Sequence, residues 1–198
     1  MYCCHRINTI AELKEIPIDY GIELDLRDNI NGDIHIAHDP FILGDLFEEY
    51  LKHYHHSFII LNIKSERIEW NVLKLLKKYN INNYFFLDSS FPMIYQLSIK
   101  NEKNIALRFS EFEGLDTIIK MKDKVKWVWI DCFTKNPLTF EIYNQLKCMN
   151  YKLCFVSPEL QNQSEKILEY KEYFQKNDII LDMICTKHYN MEKWNNII

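Results

Sequence analysis

The stretch SFIILNIKSERIEWNVLKLLKKY, residues 57–79, joins a short apolar run to an amphipathic one. The run Ser57–Ile63 is rich in branched and aromatic side chains and has the length of a buried strand. In the second half, Val72, Leu75 and Leu76 follow the i, i+3, i+4 spacing of a helix face that packs on a core. The stretch therefore predicts one β-strand followed by one α-helix.

The same alternation extends over the whole chain. Eight strand candidates, with helical patterns between most of them, predict a parallel sheet with right-handed crossovers. The strand candidates are Met1–Arg6, Gly21–Leu26, Ser57–Ile63, Tyr84–Leu87, Ile105–Phe109, Val125–Ile130, Lys152–Phe155 and Ile179–Ile184. The helical patterns are Thr9–Ile16, Leu43–His53, Arg67–Tyr79, Pro92–Lys100, Leu115–Met121, Thr139–Met149 and Glu159–Lys176.

Eight such units suit a closed (β/α)8 barrel, the TIM barrel, better than an open sheet. A doubly wound open sheet would show a glycine-rich phosphate turn after its first strand, and the sequence has none there. A hairpin turn at Asn31-Gly32, followed by the alternating stretch Asp33–His38, predicts a small β-hairpin excursion after the second strand. We therefore predict a compact α/β chain, one TIM-barrel domain over residues 1–198.

Composition and charge narrow the class of protein. The hydrophobic content of 47% is that of a globular chain, and a formal charge of −4 offers no broad positive field to nucleic acid. No apolar run reaches the ~20 residues needed to cross a bilayer, and the N-terminus lacks the pattern of a signal peptide. The six cysteines show no C-x-x-C spacing and fit reduced thiols. We expect a cytoplasmic protein whose partner is a small molecule, and the lack of a lipid anchor or a long apolar loop argues against a membrane substrate.

Polar side chains stand at the carboxyl ends of the predicted strands, where (β/α)8 barrels carry their active sites. Glu23 and Asp25 are spaced i and i+2, so both carboxylates share one face of the second strand. Asn62 and Lys64 have the same spacing at the end of the next strand of the predicted barrel. The other polar ends are His5-Arg6 and His38-Asp39.

The order and spacing of these residues resemble those of the glycerophosphodiester phosphodiesterase family, within the phospholipase C-like phosphodiesterases. That family shows His-Arg-Gly, Asn-Thr, Glu-x-Asp, an Asp-Gly turn, His-Asp and Glu-x-Lys in this order. The present chain reads His5-Arg6-Ile7, Asn8-Thr9, Glu23-Leu24-Asp25, Asn31-Gly32, His38-Asp39 and Asn62-Ile63-Lys64. The resemblance continues more faintly into the C-terminal half and implies a TIM-barrel enzyme of lipid metabolism.

The resemblance also implies a chemistry, the metal-dependent hydrolysis of a small phosphodiester. Glu23, Asp25 and Asn62 would ligate a divalent hard cation, Mg²⁺ or Ca²⁺, which prefers oxygen ligands. His5 and His38 would be the general base and the general acid, because imidazole titrates close to neutral pH. The cations that would hold the non-bridging phosphate oxygens are Arg6 and Lys64.

Two departures from the family pattern bear on this expectation. Asn62 stands where the family usually has a third metal-binding glutamate, and an amide brings one negative charge less. A carboxylate from a neighbouring strand end could replace it, and the candidates are Glu66, Asp88 and Asp131. Ile7 replaces the glycine after His-Arg, so we expect an ordinary backbone conformation in the first loop.

Other functions stay open at this point. A barrel whose metal affinity is weakened through Asn62 would bind a phosphorylated ligand or partner without hydrolysing it. A lyase would use the same two histidines to form a cyclic phosphate from a neighbouring hydroxyl, and an unrelated barrel enzyme is a third alternative. The pair His5 and His38 favours catalysis, because a binding module has no need of two such imidazoles. The alcohols on either side of the phosphate and the oligomeric state stay open.

Overall fold

The computed structural model describes residues 1–197. Along the chain, strands alternate with helices, and eight of the strands are parallel, which confirms the predicted α/β, (β/α)8 barrel class. The chain divides into two compact units. The first unit is Cys4–Lys100, and the second unit is Met1–Cys3 together with the chain from Asn101 onward. The single domain over residues 1–198 stays a prediction.

The elements follow in chain order. The strands are β1 Tyr2–Cys4, β2 Gly21–Asp28, β3 Ile34–Ile36, β4 Phe58–Ile63, β5 Tyr84–Leu87, β6 Ala106–Phe109, β7 Trp127–Ile130, β8 Lys152–Val156 and β9 Met183–Thr186. The α-helices are α1 Ile10–Glu15, α2 Phe47–Leu51, α3 Glu69–Lys78, α4 Phe91–Ile99, α5 Asp116–Lys120, α6 Phe140–Cys148 and α7 Ile167–Lys176. In the described part of the chain, every helix is too short or too polar to span a bilayer.

In the first unit, β4 is the central strand of a parallel sheet and pairs with both β2 and β5. All six residues of β4, FIILNI, are buried, as is usual for a parallel strand of an α/β protein, whose sheet is covered on both faces. The hairpin strand β3 runs antiparallel to the end of β2, where Leu26 faces Ile36, so the predicted β-excursion is confirmed. Farther along this sheet, Asp25 of β2 faces Asn62 of β4.

In the second unit, the four strands β6, β7, β8 and β9 pair in sequence order, each parallel to the next. An aromatic cluster is built around Phe155 of β8. The Phe155 ring centroid is 4.9 Å from that of Phe174 and 5.9 Å from that of Trp194, both at edge-to-face angles. All three side chains are fully buried, so this cluster anchors α7 and the C-terminal segment to the sheet.

Two predicted helices begin later than their apolar patterns suggest. The pattern Leu43–His53 becomes helical only at Phe47, because the preceding residues pair with β3 through Leu46 and Asp45. The pattern Glu159–Lys176 is interrupted at Asn162, which adopts the left-handed conformation with φ 59°. Short 3-10 turns therefore precede α7, at Pro158–Gln161 and Ser164–Lys166.

Two predicted strands were also placed wrongly. The first strand ends at Cys4 rather than Arg6, because Arg6 has a φ of 57° and leaves the extended conformation. The expectation of an ordinary backbone after this strand was therefore wrong, although the left-handed residue is Arg6 and not Ile7. The last strand is Met183–Thr186 and not Ile179–Ile184, because Ile179 still closes the end of α7 by donating its N–H to Phe174.

One carboxylate at the start of α3 is buried with few donors around it. Glu69 is fully buried, and neither of its carboxylate oxygens has a donor at full hydrogen-bond geometry. Burial raises the pKa of Glu69, and the nearby Ser89 hydroxyl only partly opposes this effect. The ionised side chain therefore destabilises the folded state, because the folded pKa lies above that of the unfolded chain.

We expect Glu69→Gln to stabilise the protein by about 1–2 kcal/mol at pH 8, because it removes a buried charge without changing the shape of the side chain. The gain should shrink as the pH falls and vanish below the unfolded pKa of about 4.3, where both states of the wild type are protonated. Urea unfolding followed by circular dichroism from pH 4 to pH 8 measures both effects. The exposed Glu15→Gln is the control, and an equal gain in that variant would contradict the explanation.

Candidate active site

Two buried carboxylates form the centre of the candidate site. Glu23 and Asp25 are each only 1% exposed, and both lie on one face of β2 because they are two residues apart. The parallel register places Asn62 of β4 beside Asp25. The i, i+2 spacing seen in the sequence thus places three oxygen-bearing side chains together inside the first unit.

Glu23 receives a donor on each carboxylate oxygen. The backbone N–H of Arg6 donates to Oε2 at 2.7 Å, and Nδ2 of Asn62 donates to Oε1 at 2.9 Å. The His5 Nε2 lies 3.8 Å from the same Oε2. Burial, and next the charge of Asp25, raise the pKa of Glu23 to about 7, although these hydrogen bonds and Lys64 act in the opposite direction.

Asp25 is surrounded by the side chain of Asn8, which lies just before α1, and by two cations. Asn8 donates Nδ2 to Oδ2 of Asp25 at 2.8 Å and accepts the Asp25 backbone N–H on its Oδ1 at 3.0 Å. The Lys64 Nζ lies 3.6 Å from Oδ1, and the Arg6 Nε lies 3.6 Å from Oδ2. Six of the seven predicted site residues are therefore joined by direct contacts around the carboxylate pair: His5, Arg6, Glu23, Asp25, Asn62 and Lys64.

His38, the seventh predicted residue, is connected to this cluster through its backbone. Its imidazole Nδ1 lies 2.7 Å from Oδ1 of Asp39, and its side chain is 41% exposed. Its carbonyl oxygen accepts from Nε and Nη2 of Arg27, at 3.2 and 2.8 Å. The same guanidinium donates Nη1 to the carbonyl of Lys64 at 3.0 Å. Arg27 thus ties the His38 loop to the Lys64 loop.

The role of Arg27 was missed by the sequence reasoning, as was that of Asn8 in holding Asp25. The signal for Arg27 was present, because Glu23, Asp25 and Arg27 alternate along one strand face with Leu24 and Leu26 between them. An arginine that continues a polar strand face is positioned to serve the same site. No spacing rule predicts that its partners are main-chain carbonyls.

Two oxygen atoms of the site are available to a cation. Oδ1 of Asp25 and Oδ1 of Asn62 are both buried and accept no hydrogen bond. Within residues 1–197, no group of three His, Cys, Asp or Glu side chains is placed to hold a metal ion. Two carboxylates and one amide are nevertheless a donor set that a hard cation accepts, so the residues fit the predicted metal with a reduced negative charge.

The three candidates for a replacement carboxylate have other partners. Glu66 accepts the Ser90 hydroxyl at 2.6 Å, and Asp88 lies 3.4 Å from the Lys64 ammonium. Asp131 belongs to the second unit, where its carboxylate accepts from the side chains of Arg108, Trp129 and Gln161. Asp88, which belongs to the first unit, contacts the candidate site through Lys64.

We expect Arg27→Lys to destabilise the protein by about 1–3 kcal/mol, because a lysine cannot replace the planar fork that serves two carbonyl oxygens. Chemical unfolding at neutral pH measures the loss. The exposed Arg67→Lys serves as a matched control and should stay close to the wild type. Equal stabilities of both variants would show that the three hydrogen bonds of Arg27 contribute nothing.

Comparisons with known proteins show the fold. A crystal structure of a protein assigned as a glycerophosphoryl diester phosphodiesterase, from Agrobacterium tumefaciens, superposes with a TM-score of 0.67 at 12% identity and covers 93% of this chain and 92% of that one. A crystal structure of a glycerophosphodiester phosphodiesterase from the same organism gives 0.65 at 16% identity, covering 93% and 95%. No protein-family model and no curated protein sequence matches the chain. The resemblance inferred from the motifs is thus confirmed at the level of the fold, which is that of the glycerophosphodiester phosphodiesterases.

Proposed function

We propose that the protein is a metal-dependent phosphodiester hydrolase that acts on a small phosphodiester by general acid–base catalysis. The single observation that carries the proposal is the cluster around the carboxylate pair on β2. It combines two buried carboxylates, an imidazole and two cationic side chains, the groups needed to bind a phosphate and transfer protons. The fold shared with the two Agrobacterium proteins supports the same reaction class.

The charges of the cluster are arranged to bind an anion beside a cation. Lys64 and Arg6 each lie 3.6 Å from Asp25, and Lys64 also lies 3.4 Å from Asp88. An ammonium has three N–H donors and a guanidinium has five, so both cations retain donors for non-bridging phosphate oxygens. Arg6 is 44% exposed and Lys64 is 20% exposed, which leaves both reachable from solvent. Glu23 and Asp25 are buried beneath them and would hold the divalent cation with Asn62.

Hydrolysis requires a proton to be removed from water and another to be delivered to the leaving alcohol. One histidine takes the proton of the water whose oxygen forms the new bond to phosphorus. The other histidine gives its proton to the alkoxide as the old phosphorus–oxygen bond breaks. The His5 imidazole lies 3.8 Å from Glu23, and the His38 imidazole lies 2.7 Å from Asp39, so each histidine has a carboxylate beside it that would orient the ring. A bound Mg²⁺ or Ca²⁺ would neutralise charge that develops on the phosphoryl oxygens.

We expect His5→Gln and His38→Gln each to reduce hydrolysis of glycerophosphocholine by about 10²–10⁴-fold, the range typical of a lost general acid or base. Hydrolysis of glycerophosphocholine and of bis(p-nitrophenyl) phosphate is measured for each protein with Mg²⁺ or Ca²⁺ added, and again with EDTA in place of the metal. The control is His55→Gln, which removes an exposed histidine outside the site.

The outcomes separate the alternatives. Metal-dependent activity that is lost in both site variants but kept in the control establishes the proposal. A cyclic phosphate detected by phosphorus NMR would replace the hydrolase with the lyase reaction. A folded wild type that binds inorganic phosphate but hydrolyses neither substrate would replace catalysis with binding alone.

We expect Asn62→Glu to change the response to metal. Without metal, a third carboxylate beside Glu23 and Asp25 should lower the melting temperature, because like charges would be buried together. Addition of Mg²⁺ or Ca²⁺ should raise the melting temperature of the variant more than that of the wild type, because a third anionic ligand tightens binding. Thermal unfolding with metal or EDTA measures both effects. If metal stabilises the variant no more than the wild type, then Glu23, Asp25 and residue 62 are not the metal ligands. The surface control is Asn71→Glu.

A further inference from the structure

Three consecutive apolar residues are exposed in the loop that follows β3. Phe41 is fully exposed at 103%, Ile42 is 56% exposed and Leu43 is 75% exposed. Single exposed apolar residues are ordinary on protein surfaces, but a contiguous group of large ones marks a contact site. We call residues Phe41–Leu43 the apolar tip.

The apolar tip is held in place by its flanks. The His35 Nε2 lies 3.2 Å from the carbonyl oxygen of Ile42, and the backbone N–H of Ile36 donates to Asp45 at 2.9 Å. At Gly44 the chain passes so close to β3 that a Cβ atom would lie 1.8 Å from the carbonyl oxygen of Ile36. Only glycine fits this approach, so the apolar tip projects from a fixed base.

The chain turns at Pro40 and Phe41, where the apolar tip begins. Phe41 adopts a φ of 65°, the left-handed region that is unfavourable for a bulky aromatic residue. Its ring is exposed, so no burial offsets this conformation. An unfavourable backbone conformation that displays an aromatic ring to solvent suggests that the ring acts outside the folded chain.

The apolar tip lies next to the candidate site. It begins three residues after His38, whose carbonyl is held by Arg27. A hollow of about 290 Å³ is lined by Arg27 together with Phe41 and Leu43. Any surface that receives the apolar tip is therefore brought to the loop that carries one of the two proposed catalytic histidines.

The small area of the apolar tip and the charges around it favour a zwitterionic lipid surface as its binding partner. Three side chains expose a few hundred Å² at most, well below the ~800 Å² per partner of a stable protein interface, which argues against a second copy. A lipid interface needs less area, because a few apolar side chains at the headgroup boundary suffice for reversible binding. Arg27 and Asp28 line the hollow with opposite charges and Asp39 is 65% exposed, so the surroundings carry no excess of cations that would favour an anionic membrane.

We propose that the apolar tip inserts into the surface of zwitterionic lipid aggregates and that the phosphodiester substrate is a lipid headgroup taken from that surface. The second part rests on the proposed function and names its substrate class, whereas the docking is testable without catalysis. The sequence had argued against a membrane substrate for want of a long apolar loop. The structure shows instead a short apolar loop with all three side chains outside.

The test is flotation of the full chain with phosphatidylcholine vesicles. The variant carries Phe41→Asn and Leu43→Ser, since asparagine tolerates the left-handed backbone and keeps the loop folded. The matched control carries Ile18→Ser and Ile99→Ser, which remove exposed apolar side chains of 60% and 57% exposure from the same unit. We expect the tip variant to bind at least about tenfold more weakly than the wild type, whereas the control binds like the wild type. Addition of anionic phosphatidylglycerol should not strengthen binding.

A second measurement compares hydrolysis of lysophosphatidylcholine micelles with that of soluble glycerophosphocholine. The tip variant should lose activity on micelles by a similar factor and keep its kcat/KM on the soluble substrate. Binding without any hydrolysis would reject the proposed function and leave the docking intact. A wild type that does not float, a tip variant that floats equally well, or a dimer in sedimentation velocity that the tip variant dissociates would each overturn the docking.

Discussion

The site depends on the burial of two like charges in adjacent positions of one strand face. Glu23 and Asp25 are removed from water, and their mutual repulsion is unfavourable unless donors and cations surround them. The neighbouring segments supply these groups: the Arg6 N–H, the Asn8 and Asn62 amides, and the Lys64 ammonium. The turn after β1, the start of α1 and the end of β4 are all held where these donors reach the pair. Burial and the charge of Asp25 still raise the pKa of Glu23 to about 7, so the surrounding donors and cations only partly offset the cost of burying the pair.

Asn62 has two effects on this balance. Its amide donates to Glu23, which a glutamate at this position could do only when protonated, so the pair is more stable without metal than a triad of carboxylates would be. The same residue leaves Oδ1 buried without a hydrogen bond and brings no charge to a cation. In the proposed metal site, an amide at this position would therefore bind a cation more weakly than a glutamate, whereas it stabilises the carboxylate pair when no cation is bound.

Regular periodicity in the sequence predicted much of this structure. The alternation Glu23-Leu24-Asp25 and the apolar run of β4 predicted two strands and the common face of the two carboxylates, because side-chain direction in a strand has a strict period of two. The other site candidates came from the order of the motifs. The errors lie where tertiary contacts override local pattern. The helix expected from Leu43 is displaced by pairing with β3, and the long helix expected from Glu159 is broken by the left-handed Asn162. The apolar tip could not be recognised, since apolar letters in a sequence do not reveal which side chains stay outside.

The guanidinium of Arg27 has a consequence for motion. It is bonded at once to the carbonyl of His38 and to the carbonyl of Lys64, two residues from separate loops. Opening of either loop away from the sheet would break hydrogen bonds that the other loop shares. The His38 loop and the Lys64 loop are therefore mechanically coupled. If the apolar tip docks as proposed, its displacement by a surface would be transmitted along the chain from Phe41 to His38 and across Arg27 to Lys64. Contact with an interface and alignment of the phosphate would then be two ends of a single cooperative movement.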